Sequence, residues 1–174
     1  LMMEYIAEKL GGKGKICVIE GPFGHSAQLQ RQEGIMQVLE KYPDIEIIHD
    51  DTANWDRTQA MDLTENWLQS DATEIDAIVC HSDDMAMGAV EACIGANVDK
   101  DILITGVDGI VDALNSVKDG GLVADIYQDS VGIGTSAVDV AMKILNGEPY
   151  EKVNRVPWAL ITQENVDEYL ARFE

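Results

Sequence analysis

Basic residues are scarce: 12 Lys and Arg stand against 32 Asp and Glu in 174 residues, a formal charge of −20. A field of that sign repels phosphate backbones and anionic lipid, which excludes nucleic acid and membrane surfaces as partners. Otherwise the acidity reads as a solvated surface. Cysteine is also sparse. Cys17, Cys80 and Cys93 have neither CxxC spacing nor an even count, so they read as buried reduced thiols, a reading that leaves the compartment open. No apolar run reaches the length of a membrane-spanning helix, and neither a solenoid-length repeat nor a low-complexity linker interrupts the chain.

Recognised chemical motifs are missing as well. Gly132 to Ala137, GIGTSA, lacks the third glycine and the acidic partner of a dinucleotide loop. Gly11 to Lys15, GGKGK, precedes a strand where a phosphate loop would follow one. No GxSxG nucleophile is present. Cys80, His81, Asp83 and Asp84 are metal-ligating residue types, but they alternate faces or turn into a helix, so no metal site and no cofactor are expected.

What is there is a regular alternation. With 46% hydrophobic residues the chain can bury roughly 70% of its unfolded surface in one compact unit. Leu1 to Leu10 has helical spacing and is closed by Gly11 and Gly12. A chain that opens inside such an element is expected to be a segment of a longer protein. Lys15 to Glu20 reads as a strand, followed by a helix from Ser26, its expected N-cap, to Tyr42. Ile45 to His49, Asp76 to Cys80, Ile102 to Val107 and Leu122 to Tyr127 are further strands. Helices from Arg57 to Gln69, around Met85 to Cys93, and from Val111 to Lys118 separate them. This βα alternation specifies right-handed crossovers and an α/β fold, a doubly wound parallel sheet flanked by helices. After Gln128 the pattern changes to a long helix, Asp129 to Asn146. An extended stretch from Val153 to Ile161 follows, interrupted by Pro157 and so an edge strand or connector, then a short helix from Glu164 to Phe173.

Ligands of open α/β sheets bind beyond the carboxyl ends of the strands. There the sequence places His25 and Arg31, then Trp55, then Ser82 and Asp83, then Asp108, then Gln128. A carboxylate takes hydroxyl protons, an Arg fork or Gln amide donates to hydroxyl oxygens, and an indole covers the C–H face of a ring. The set suits a neutral polyhydroxyl ligand. Each residue also has an ordinary structural reading: Arg31 a surface arginine, Trp55 a core aromatic, Asp108 the cap of the helix after Gly109, one of Ser82, Asp83 and Asp84 an N-cap, and His25 a solvent-exposed loop residue.

The segments EGPFGHSAQLQRQEG, TANWDRTQAMD, CHSDDMAMGAVEA, TGVDG, ADIYQD and KILNGE, in this order, resemble the C-terminal lobe and hinge of type I periplasmic sugar-binding proteins, especially the ribose-binding branch. The resemblance implies a solute-binding component of a carbohydrate ABC importer, non-enzymatic and extracytoplasmic in the periplasm or as a surface lipoprotein. It would capture a monosaccharide or polyol between two lobes and present it to a membrane permease. Arg31, Trp55, Asp108 and Gln128 occupy positions that contact sugar in that branch, and His25 is similar to a histidine of the galactose and glucose branch. Ser82 stands where ribose binders commonly carry Asn, which leaves room for a hexose or cyclic polyol.

By the same resemblance, residues 1–128 form the sugar-binding core, 129–157 a hinge-crossing helix and strand belonging to an N-terminal lobe that this chain lacks, and 158–174 a return segment. The apolar side of the long helix, at Val131, Ile133, Val138, Met142 and Leu145, is then expected to be exposed and to fold back or self-associate. The alternative is the effector-binding core of a LacI-type transcriptional repressor, which has similar G-x-D-G and D-D-x-A-x-G-A segments. An enzyme is a third class, for which the edge offers carboxylates but no nucleophile and base at credible spacing.

Overall fold

A computed structural model describes residues 1–98 and 101–173. Helix α1 (Met2–Lys9) precedes strand β1 (Lys13–Glu20), helix α2 (Ser26–Leu39), strand β2 (Asp44–Thr52) and helix α3 (Arg57–Asp71). Then come β3 (Ala77–Cys80), α4 (Asp83–Ala96), β4 (Leu103–Asp108), α5 (Val111–Asp119) and β5 (Ala124–Tyr127). Helix α6 (Ser130–Asn146), strand β6 (Ala159–Ile161) and helix α7 (Val166–Leu170) complete the order.

The strands form one sheet in the order β2-β1-β3-β4-β5-β6, parallel throughout except where β6 runs antiparallel to β5. The extended stretch expected from Val153 to Ile161 contracts to the three residues of β6, an edge strand beyond Pro157. Strand alternation builds two separate cores. Ile16 and Val18, Ala77 and Val79, and Val107 and Ile126 face Met3 and Ile6 of α1 and Ile35 and Val38 of α2. Cys17 and Ile19, Ile78 and Cys80, Ile104 and Tyr127 face α3, α4, α5 and α7 through Trp67, Met85, Leu114 and Val166. Side chains without exposure, such as Ile6, Ile16 and Ile78, each contribute about 1.5–3 kcal/mol of hydrophobic stabilisation.

The chain leaves β1 for β2 through α2 on one face, then crosses to β3 on the other side of β1 through α3 on the opposite face. That reversal opens a crevice beyond the carboxyl ends of β1 and β3. Helix α6 behaves differently from the rest. It is capped by Asp129, whose carboxylate accepts from Gly132 N–H at 2.9 Å, and it ends in left-handed Gly147. None of its residues is buried, with Val131 74% and Leu145 79% exposed.

Candidate functional site

His25, Arg31, Trp55, Ser82, Asp108 and Gln128 line a single concavity of about 300 Å³ at the switch crevice, joined by Ala27 and Asp84. Five strand ends thus deliver the residues that the sequence placed on one edge, except Asp83, which is buried and not part of the lining, in a volume at the lower end of the range for small-molecule sites.

Arg31 projects from the first turns of α2. Its Nη1 donates to the carbonyl of His81, and Nη2 lies 3.6 Å from Asp108 Oδ1. Its guanidinium sits 5.5 Å from the ring centre of Trp55 and 5.8 Å from that of Trp158. Burial pulls the Arg31 pKa down against the opposing pull of Asp108. Burial likewise pushes Asp108 up, against Arg31. The pair offsets a desolvation that neither charge would tolerate as well alone.

Trp55 is held from below. It has a left-handed backbone, φ 64°, as does Asn54 at φ 54°, a costly conformation for a bulky residue. The following helix is fixed by Asp56, whose carboxylate accepts from Gln59 N–H at 2.8 Å. The indole lies on the bare backbone of Gly21, where a Cβ would come within 2.0 Å of Trp55 Cζ2. His25 meets the same indole edge-on, with ring centres 5.6 Å apart and planes at 82°.

Two capping expectations change. Ser26 is the first helical residue of α2, and His25 is the cap, its Nδ1 accepting from Ala27 N–H at 3.2 Å. Histidine takes this place because its backbone is extended and its ring nitrogen reaches the orphan amide. Helix α5, in turn, is not capped by Asp108. Its N-cap position is Ile110, and the amides of Gly109 and Ile110 donate to Asp83 Oδ2 at 2.7 and 2.8 Å. Asp108 is therefore left to the crevice, with a φ of 142° that re-aims its side chain at a strand end. Gln128 is tied to the same turn, its backbone N–H donating to the Asp108 carbonyl at 3.1 Å. Ser82 caps α4 through a long 3.5 Å contact from Met85 N–H and lines the cleft as well.

Sequence reasoning missed Asp84 and Trp158. Asp84 belongs to an exposed web in which Arg57 Nη2 approaches Asp84 at 3.0 Å and Asp112 at 3.3 Å. Trp158 completes a second indole contact to Arg31 from a stretch that read as a connector, and only its place directly after Pro157 could have drawn notice. Beneath the cleft, His81 is fully buried and pushed down to about 4, by burial first and Arg31 second. The cleft thus supplies donors, carboxylate acceptors and an aromatic face. No group of metal-ligating side chains is found among the described residues.

A model of the periplasmic binding protein domain matches residues 1–149. The chain belongs to the periplasmic binding protein family. Within this family it is 39% identical to the xylitol-binding protein of Mycolicibacterium smegmatis, over 95% of this chain and 47% of that protein. It is 37% identical to a ribose import binding protein of Bacillus subtilis, over 92% of this chain and 51% of that one. A solved ABC transporter solute-binding protein from Bacillus halodurans, with bound myo-inositol, superposes with a TM-score of 0.91 at 40% identity, covering 98% of this chain and 59% of that one. This periplasmic binding protein chain therefore spans about half the length of the curated relatives it matches. The shared fold is the mostly parallel α/β sheet described above, and the family is one of substrate-binding proteins.

Proposed function

We propose that this protein is the solute-binding component of a carbohydrate ABC importer, acting outside the cytoplasm and holding a monosaccharide or polyol without transforming it. The observation that carries the reading is the convergence of Arg31, Trp55, Asp108, Gln128, Ser82 and His25 on one cleft of about 300 Å³. Asp108 would accept two hydroxyl protons, Arg31 and Gln128 would donate to ring or hydroxyl oxygens, and Trp55 would cover the apolar face. The xylitol, ribose and inositol binders among its relatives support a small polyhydroxyl ligand. Residues 129–157 would then be the crossing segment that seats α6 on a second lobe, a role supported by the absence of buried residues along that helix. A membrane permease would receive the closed complex.

The test is calorimetry with D-ribose, D-allose, xylitol and myo-inositol, comparing the parent with Trp55→Ala and Asp108→Ala. At least one sugar binds, and each substitution weakens it more than threefold, about 0.65 kcal/mol. Unchanged affinity in either variant would remove that residue from the site, and turnover of a bound sugar would end the binding-only reading.

A further inference from the structure

Directly behind the cleft lie two acidic side chains with no exposure, Asp83 at the start of α4 and Asp125 in β5. One oxygen of Asp83 takes the amides of Gly109 and Ile110, the two residues that follow Asp108. Its other oxygen, and both oxygens of Asp125, meet no donor among the described residues. The two carboxyls face each other within hydrogen-bonding range, each perturbing the other. Two carboxylates offer acceptors only, and in a dry setting they cannot both stay charged, so the contact is sound only with a proton between them.

Room for the pair comes from a glycine. Gly106 is the β4 neighbour of Asp125 in the sheet register, and a Cβ there would lie 2.3 Å from Asp83 Oδ1. Other groups acting on the pair are Asp108 from β4, Arg31 from α2 and the buried Cys80 thiol from β3. Burial drives both acids up, and because two amides donate to Asp83 while Asp125 meets no donor among the described residues, the charge is better held on Asp83 and the shared proton on Asp125.

We propose that Asp83 is a positioning residue for the cleft: paired with protonated Asp125, it anchors the Gly109 and Ile110 amides and thereby aims Asp108 at the ligand. The unusual backbone of Asp108 supports this role, because a φ of 142° persists only where the surroundings over-determine it. Removing the pair's proton in alkali sets a second charge against Asp83 and Asp108. Adding one in acid weakens the anchor on both amides. A neutral sugar has no group that titrates in this range, so a pH dependence of its binding reports on the protein.

The inference rests on the sugar-binding reading of the cleft, and its test separates the two. Carboxyl carbons of labelled aspartate and backbone amides of the chain are followed by NMR from about pH 4 to about pH 10. The parent, Asp125→Asn and Asp83→Asn are compared, and calorimetry uses myo-inositol and D-ribose as probes at pH values near 5, 7 and 9. One buried aspartate is expected to stay protonated past neutrality and to ionise in alkali. The Gly109 and Ile110 amides should shift as the pair titrates, and sugar affinity should fall at both extremes. Asp125→Asn keeps the amides near their neutral-pH positions and abolishes the alkaline loss, whereas Asp83→Asn displaces the amides and weakens binding about tenfold.

Amides that ignore pH in the parent, an alkaline loss of affinity that survives Asp125→Asn, or the absence of any aspartate ionising above neutrality, would overturn the proposal. These readouts come from the parent and the isosteric Asn variant, so they stand even if Asp83→Asn fails to fold. If both signatures appear but neither sugar binds at any pH, the positioning pair is upheld and the sugar-binding reading is what fails.

Discussion

Gly21→Ala is the sharpest single perturbation of the cleft, because it adds one methyl group directly under Trp55. The new Cβ would stand 2.0 Å from Cζ2, 2.1 Å from Cη2 and 2.5 Å from Cε2 of the indole. Carbon atoms in contact settle at about 3.5–4.0 Å, so the ring or the loop must move by roughly 1.5 Å. The ring is the softer element on its cleft side, while its backbone is pinned between left-handed Asn54 and the Asp56 cap. Displacing it loosens the edge-on contact with His25 and the stacking on Arg31. At about 0.5–1.5 kcal/mol for the aromatic pair and about 0.5–1 kcal/mol for the cation–π contact, the cost is roughly 1–2.5 kcal/mol.

In a domain of this size that lowers Tm by about 2–10 °C, read by circular dichroism. Sugar affinity should fall about tenfold or more, because the indole leaves the plane on which a ring would stack. A Gly21→Ala protein whose Tm is unchanged, and whose sugar affinity stays within about threefold of the parent, would refute both the packing argument and the role of Trp55.

Other outcomes follow from groups outside the cleft lining. His81 is pushed down to about 4 when folded, so the unfolded chain is the better proton binder and His81 contributes stability that grows as pH rises from about 4 to 6.5. The drop in Tm between pH values near 6.5 and 4.5 should therefore be smaller in His81→Phe than in the parent, and an equal drop would reject the assignment. Cys17 and Cys93 are pushed up to about 12 and about 11 by burial, and burial raises Cys80 as well, so an aromatic disulfide reagent near pH 8 should leave all three thiols unmodified until denaturant is added. The exposed stripe on α6 should bind an apolar dye and support concentration-dependent self-association in sedimentation, both reduced by replacing Val131 and Leu145 with Ser. A compact monomer that binds no dye at dilution would show that this surface is inert.

Much of the fold was legible from local pattern. Short, continuously apolar runs such as those within Lys15 to Glu20 and Asp76 to Cys80, each followed by a helix-spaced segment, specify parallel strands buried on both faces, with crossovers, before any contact is known. Once the sheet is parallel, its carboxyl edge follows, and with it the shared location of Arg31, Trp55, Ser82, Asp108 and Gln128. These inferences need only the geometry of neighbouring residues, which repeats every 2.0 or 3.6 positions along the chain.

Tertiary structure decided what depends on residues far apart in sequence. Whether Asp108 caps α5 turned on Asp83, 26 residues from Gly109, taking those amides first. The capping of α2 by His25 instead of Ser26 turned on which residue kept an extended backbone. Strand β6 runs antiparallel because the chain returns to the edge of β5 from the far side of α6, a path that no local periodicity records. Asp125 read as one polar residue in a strand, and only the packing of α4 over Gly106 made it the partner of Asp83. Side-chain type and spacing therefore determined which edge of the sheet carries the chemistry. The long-range packing of α4 against β4 and β5 determined how Asp108 is held there, because hydrogen bonds between distant segments exist only once the sheet has closed.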